Sequence, residues 1–181
     1  IAKFNPLLAN SFLFLLLYLY YSYNYNDTAN IYKNVENIQY CKNINAYSLS
    51  PFMYTLTGLC ILKYKTKFKY YDKFYPIFLI LQGFISFISD SKYIDEIHWS
   101  HPFDKTLATY NLFICIIIAS KYKINNIRWL LIFSGILSFK LGTLSFNYNK
   151  VYQYCFFHFL WHTIIPITSI FTIIENSKYI M

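Results

Sequence analysis

Two histidines stand four residues apart in the apolar run FFHFLWHTIIP, at His158 and His162. On a helix that spacing puts both imidazoles on one face, about 6 Å apart along the axis, and ring nitrogens so placed can chelate one metal ion. The chain has only 4 histidines, which makes the pairing selective. The competing reading is two independent histidines, each hydrogen-bonded to a neighbouring helix. Ionisable groups in apolar runs cost roughly 2.5 to 3.5 kcal/mol each to place in lipid, so each needs a reason to be there.

A metal site needs further donors. The run FYPIFLILQGFISFI leads into Ser86-Phe-Ile-Ser-Asp90, and the next apolar run starts at Asp104-Lys105. Two histidines and one carboxylate form a zinc set that leaves a position open for water, and a second carboxylate can serve as general base toward that water. Asp90 is expected as the third ligand, Asp104 as the base, and Ser86 as a supporting donor or oxyanion contact. Each has a plainer alternative. Asp104, just after Pro102, is well placed to cap a helix, and Asp90 fits equally a solvated acidic loop. His98 and His101 are three apart in IHWSHP; they read either as a second metal pair or as an interfacial turn with Trp99 at headgroup level.

The elements that must position these residues are read from the rest of the chain. Of its 181 residues, 56% are hydrophobic, 23% aromatic and only 13% charged, which excludes a disordered or purely electrostatic protein and argues against a soluble domain. The net charge of +8 comes from lysines lying between apolar runs, where they mark membrane sides and meet anionic headgroups, so nucleic acid is the poorer partner. The 4 cysteines show neither a disulfide framework nor zinc-finger spacing. Rich in Ile, Asn, Lys, Tyr and Phe, the composition looks like the coding bias of a very AT-rich genome, so aromatic abundance alone is no ligand signal.

A helix needs roughly 20 residues to cross about 30 Å of hydrocarbon. That ruler finds six candidate spans: Pro6 to Tyr23, Ser50 to Leu62, Tyr75 to Ser89, Lys105 to Ser120, Ile127 to Phe146 and Tyr152 to Ile174. The second is the shortest, with Ser50 placed as its N-cap and Pro51 in its first turn. No repeat or linker divides the chain, so the expectation is an all-α, polytopic transmembrane bundle of about six spans forming one domain over residues 1 to 181. Because it starts at Ile1, the chain reads as a fragment or processed product, with room for a missing N-terminal segment. Counting lysines puts Lys3, Lys63 to Lys73, Lys121, Lys123, Lys178 and both termini on the cytoplasmic side of an endomembrane. Asp27, Glu36, Asp90, Asp95, Glu96 and Asp104 then fall on the other side, beside an Asn26-Asp-Thr28 glycosylation sequon.

The order Ser86-x-x-x-Asp90, Asp104, His158-x-x-x-His162 resembles the Ser-x-x-x-His, Asp, His-x-x-x-His pattern of the CREST superfamily of membrane hydrolases, which includes the alkaline ceramidases and the progestin and adiponectin receptors. The resemblance runs through five residues between Gln82 and Pro166. It implies a seven-helix bundle with an intramembrane zinc that hydrolyses lipid amides. His158 and His162 would be zinc ligands, Ser86 and Asp104 the paired polar residues, and Asp90 would stand where the family has its first histidine. The expected function is therefore a zinc-dependent hydrolase of a lipid or amide. The rival is a non-catalytic membrane component, transporter-like or an accessory subunit of an organellar complex, whose His and Asp residues bridge helices.

Overall fold

The computed structural model describes the backbone of residues 6–32, 37–63, 71–122 and 124–177. Many of the lysines that assign the cytoplasmic side, and the Asn26 sequon, fall outside the described side chains. Among the described residues, eight α-helices run in the order α1 Pro6–Tyr32, α2 Gln39–Lys42, α3 Ala46–Leu49, α4 Phe52–Lys63, α5 Tyr71–Phe87, α6 Ser100–Tyr122, α7 Asn126–Asn147 and α8 Val151–Ser177, with one π-helical turn at Ile88–Lys92 after α5. No strand occurs among the described residues.

The all-helical expectation holds, and four of the six expected spans meet the length and hydropathy of a membrane crossing among the described residues. These four, among the described residues, are Phe74–Lys92, Ser100–Lys121, Asn126–Asn147 and Val151–Glu175. Helix α4 has 12 residues, about 18 Å at 1.5 Å per residue, and falls short of the hydrocarbon thickness. Helix α1 is 27 residues long, with side chains described only over 11–25. The outer face of α7 leaves Leu130, Phe133 and Leu137 exposed, at 58–68%. Apolar exposure on that scale belongs against lipid rather than water.

Packing follows two hairpins and a bridge. Helix α4 lies along α5, α7 along α8, α6 beside α5 and α1, and α4 joins the hairpins by packing on α8. Small residues set the closest approaches, as expected where helices meet without a hydrophobic drive. A Cβ at Gly58 would sit 2.5 Å from the Pro76 carbonyl oxygen, so α4 meets α5 there backbone to backbone. On the other hairpin, Gly142 of α7 faces the His158 amide and the Tyr154 carbonyl of α8.

The turn between α7 and α8 is only Tyr148 to Lys150. Asn149 takes φ 60°, the left-handed conformation that Asn tolerates better than most residues. Lys150 N–H then donates to the Ser145 carbonyl at 2.9 Å and Asn149 N–H to that of Phe146 at 2.9 Å, a Schellman closure that satisfies the end of α7. The reversal lays the first turns of α8, which carry the histidines, directly along α7.

Candidate metal centre

Three of the residues singled out by spacing come together from two segments. Asp90 arrives on the π turn, whose wide backbone bond runs from Tyr93 N–H to the Ile88 carbonyl; such turns recur at functional sites. His158 and His162 share one face of α8, their ring centroids 4.4 Å apart. Asp90 Oδ2 lies 3.1 Å from His158 Nε2 and 3.8 Å from His162 Nε2. All three side chains are buried, and their ligating atoms lie within 4.8 Å of one another. A tetrahedral metal with bonds of about 2.0–2.1 Å places its ligands about 3.3–3.4 Å apart, a spacing that the two Asp90–His contacts bracket at 3.1 and 3.8 Å.

Ser50 Oγ donates to the Tyr47 carbonyl at 2.7 Å and lies 3.0 Å from His162 Nδ1. Its hydrogen being committed, Ser50 accepts Nδ1–H, which leaves Nε2 of a neutral His162 as a lone pair directed at the Asp90 carboxylate. A lone pair facing an anion needs a cation or a proton between them. A hydrogen bond on the far nitrogen is also how metal-bound histidines are held in tautomer and orientation. Ser50 is therefore not the side-chain N-cap of α4: its backbone is already helical, at φ −57° and ψ −33°, and its hydroxyl serves the histidine.

Asp90 is fixed from behind. Tyr47 Oη, from α3, donates to the Asp90 carbonyl at 2.9 Å and contacts Tyr154 Oη at 3.3 Å. Burial holds the Tyr47 phenol well above its ordinary range, with repulsion from Tyr154 and Asp90 adding to it, so it stays a donor. The solvated-loop alternative for Asp90 does not hold, since the residue is 8% exposed.

A second polar group lies on the same cavity. Asp104 is the fifth residue of α6, too far inside the helix to cap it; its Oδ1 accepts from Ser86 Oγ and, at 2.6 Å, from Gln82 Nε2. Gln82 Nε2 also reaches Ser86 Oγ at 2.6 Å. With its hydrogen given to Asp104, Ser86 acts on that carboxylate rather than on an oxyanion. Both bonds use Oδ1, leaving Oδ2 the freer oxygen. Gln82 is one turn before Ser86, and its place as a lone amide in an apolar run was the signal that could have flagged it.

The cavity has a volume of about 330 Å³, and Gln82, Asp90, Asp104, His158 and His162 line it together with the lysines Lys105 of α6 and Lys140 of α7. Both α6 and α7 contribute to its wall without packing closely on each other. His98 and His101 do not join the group. His101 Nε2–H donates to the Tyr93 carbonyl at 2.8 Å and Nδ1 accepts from Ser89 Oγ at 2.7 Å, leaving no lone pair for an ion, while His98 stacks on Tyr93 at 3.9 Å.

Comparison with known proteins adds no relative: no family model, curated protein or solved structure matches the chain. Among the described residues, four helices have the length and apolar character of membrane spans, and a buried Asp-His-His group could hold a metal ion.

Proposed function

We propose that the protein is a metal-dependent membrane hydrolase acting on a lipid amide or ester, of the kind the CREST pattern implies, with zinc as its metal. The observation that carries this reading is the shared cavity: the Asp90, His158 and His162 donors and the Ser86-bonded Asp104 face one space of about 330 Å³. The donor set fits zinc, two imidazoles and one carboxylate with a coordination position to spare. Zinc bound there would supply a Lewis acid and lower the pKa of a water it holds.

The chain's own residues do the rest. Asp90 and the two histidines would hold the ion, Ser50 would keep His162 in the tautomer that presents Nε2, and Tyr47 anchors the Asp90 backbone. Asp104 takes the proton of the attacking water and returns it to the leaving nitrogen or oxygen. Ser86 and Gln82 orient that carboxylate through Oδ1. Lys105 and Lys140 flank the space where a headgroup would lie, and apolar Leu112, Ile136 and Phe139 line the part suited to an acyl chain.

The deciding experiment is metal analysis of the purified, detergent-solubilised protein beside the His158→Ala/His162→Ala double variant. Close to one zinc per chain, lost in the variant, is the expected result. No metal in either protein overturns the reading and favours the helix-bridging role, in which the variant lowers thermal stability and nothing else.

A further inference from the structure

Beside this site, and independent of any metal, lies a pair of thiols. Cys41 Sγ of α2 and Cys155 Sγ of α8 are 3.0 Å apart although 114 residues separate them in sequence. Both are buried, Cys41 completely, among Tyr47, Ile94, Phe146, Val151 and Tyr154. The other two cysteines, Cys60 and Cys115, lie elsewhere, on α4 and α6. Thiol sulfurs in contact, on side chains already pointing at each other, need little backbone movement to join.

Topology supplies a second, separate indication. Helix α2 packs on the π turn and on α8, so Cys41 and Cys155 share the end of the bundle that holds Asp90, the end that the lysine count read from the sequence would put opposite the cytoplasm. On that face of a secretory-pathway membrane, thiols meet oxidising conditions in which disulfides form and persist. We infer that Cys41 and Cys155 form a disulfide there, tying the α2–α3 segment to the helix that carries His158 and His162.

The bond forms by thiol–disulfide exchange with a protein or small-molecule disulfide as oxidant. One cysteine thiolate attacks the oxidant's disulfide, giving a mixed disulfide and releasing one thiol. The second cysteine then attacks the protein-side sulfur, closing Cys41–Cys155 and releasing the other thiol. The two protein thiols lose two electrons, the oxidant's disulfide gains them, and the two protons end on the released thiols. Contact with Cys155, and then burial, push the Cys41 thiol above its usual range, so exchange in the packed state is slow and the bond closes as the chain folds.

Its consequence is local. Tyr47 belongs to the tied segment and anchors Asp90, and Cys155 precedes His158 by less than one turn. The disulfide thus fastens the backing of the Asp90–His158 pair without touching the cavity.

The test expresses the full chain in a secretory membrane, quenches free thiols with N-ethylmaleimide at lysis, and maps cysteine peptides by mass spectrometry with and without reduction. The expected result is a Cys41–Cys155 linked peptide lighter by two hydrogens, with Cys60 and Cys115 alkylated. Cys41→Ser should then leave Cys155 alkylated. On reduction of the wild-type protein, amide exchange across residues 37–50 should rise. Recovery of Cys41 and Cys155 as singly alkylated peptides, even after exposure of the membranes to oxidised glutathione, overturns the inference, as does a link of either to Cys60 or Cys115. Since the readout is the bond itself, it stands or falls apart from hydrolase activity.

Discussion

Ser50 Oγ holds His162 Nδ1 at 3.0 Å across 112 residues of sequence, and through that one contact the tautomer of a candidate metal ligand is decided by a residue on another element. Removing such a partner typically weakens a metal site by about 10- to 100-fold. Ser50→Ala is therefore expected to retain zinc at stoichiometric loading but lose it at chelator concentrations the wild type withstands. Competition titration with a zinc indicator checks this; unchanged affinity would show that the Ser50 contact does not tune the ligand.

On the proposed reading, Asp90 would stand where the CREST pattern has a histidine. If its role is to donate to metal, Asp90→His should keep a metal bound, as another nitrogen donor of similar reach, whereas Asp90→Ala should lose it. Elemental analysis of the two variants separates donor chemistry from space filling. Equal metal content in both would remove Asp90 from the ligand set.

Asp104 and the metal group are distinct clusters on one cavity, so they should be separable by mutation. Asp104→Asn is expected to bind zinc like the wild type while hydrolysis of a lipid amide falls by about 100- to 10,000-fold, the usual contribution of a general base. Parallel metal and turnover assays decide the matter. Loss of both together would place Asp104 in the metal shell instead.

Gly58 and Gly142 make opposite predictions for the same substitution. A methyl group at Gly58 meets the Pro76 carbonyl at 2.5 Å, a backbone atom that cannot swing away, whereas at Gly142 the nearest atom is 3.5 Å off. Gly58→Ala should cost about 1–3 kcal/mol and Gly142→Ala far less. Thermal unfolding in detergent ranks them, and a reversed order would contradict the packing of the two hairpins.

Arg128 and Glu175 join the start of α7 to the end of α8, but the Glu175 side chain is 54% exposed. Exposed pairs contribute about 0–1 kcal/mol, so Glu175→Gln should leave the melting temperature nearly unchanged at moderate salt.

His158 and His162 were legible because a helical period and an apolar background together make two imidazoles conspicuous. Asp90 and Asp104 were legible as positions because they sit where apolar runs break. What could not be read was what each polar atom touches. Ser50 looked like a cap because it precedes Pro51, yet the preceding short helix already supplies a helical backbone there and frees the hydroxyl for His162. Asp104 looked capable of capping because Pro102 so often opens a helix, but α6 begins at Ser100 and carries the carboxylate inward to Gln82 and Ser86. Tyr47 and the Cys41–Cys155 contact depend on how the 37–50 segment folds back over α8, a long-range event with no local pattern. Of the six expected spans, four are helices long and apolar enough to cross a membrane among the described residues, and α4, with 12 residues, is the short one that the sequence already set apart.

The cavity walled by α6 and α7 also bears on how turnover would have to be measured. If those two helices face lipid on their outer sides, a substrate reaches the space between them by diffusing within the bilayer rather than from water. The rate would then follow the surface mole fraction of that lipid, not its bulk molarity. Adding inert phospholipid or detergent at constant substrate would slow the reaction by dilution in two dimensions, with no inhibitor present.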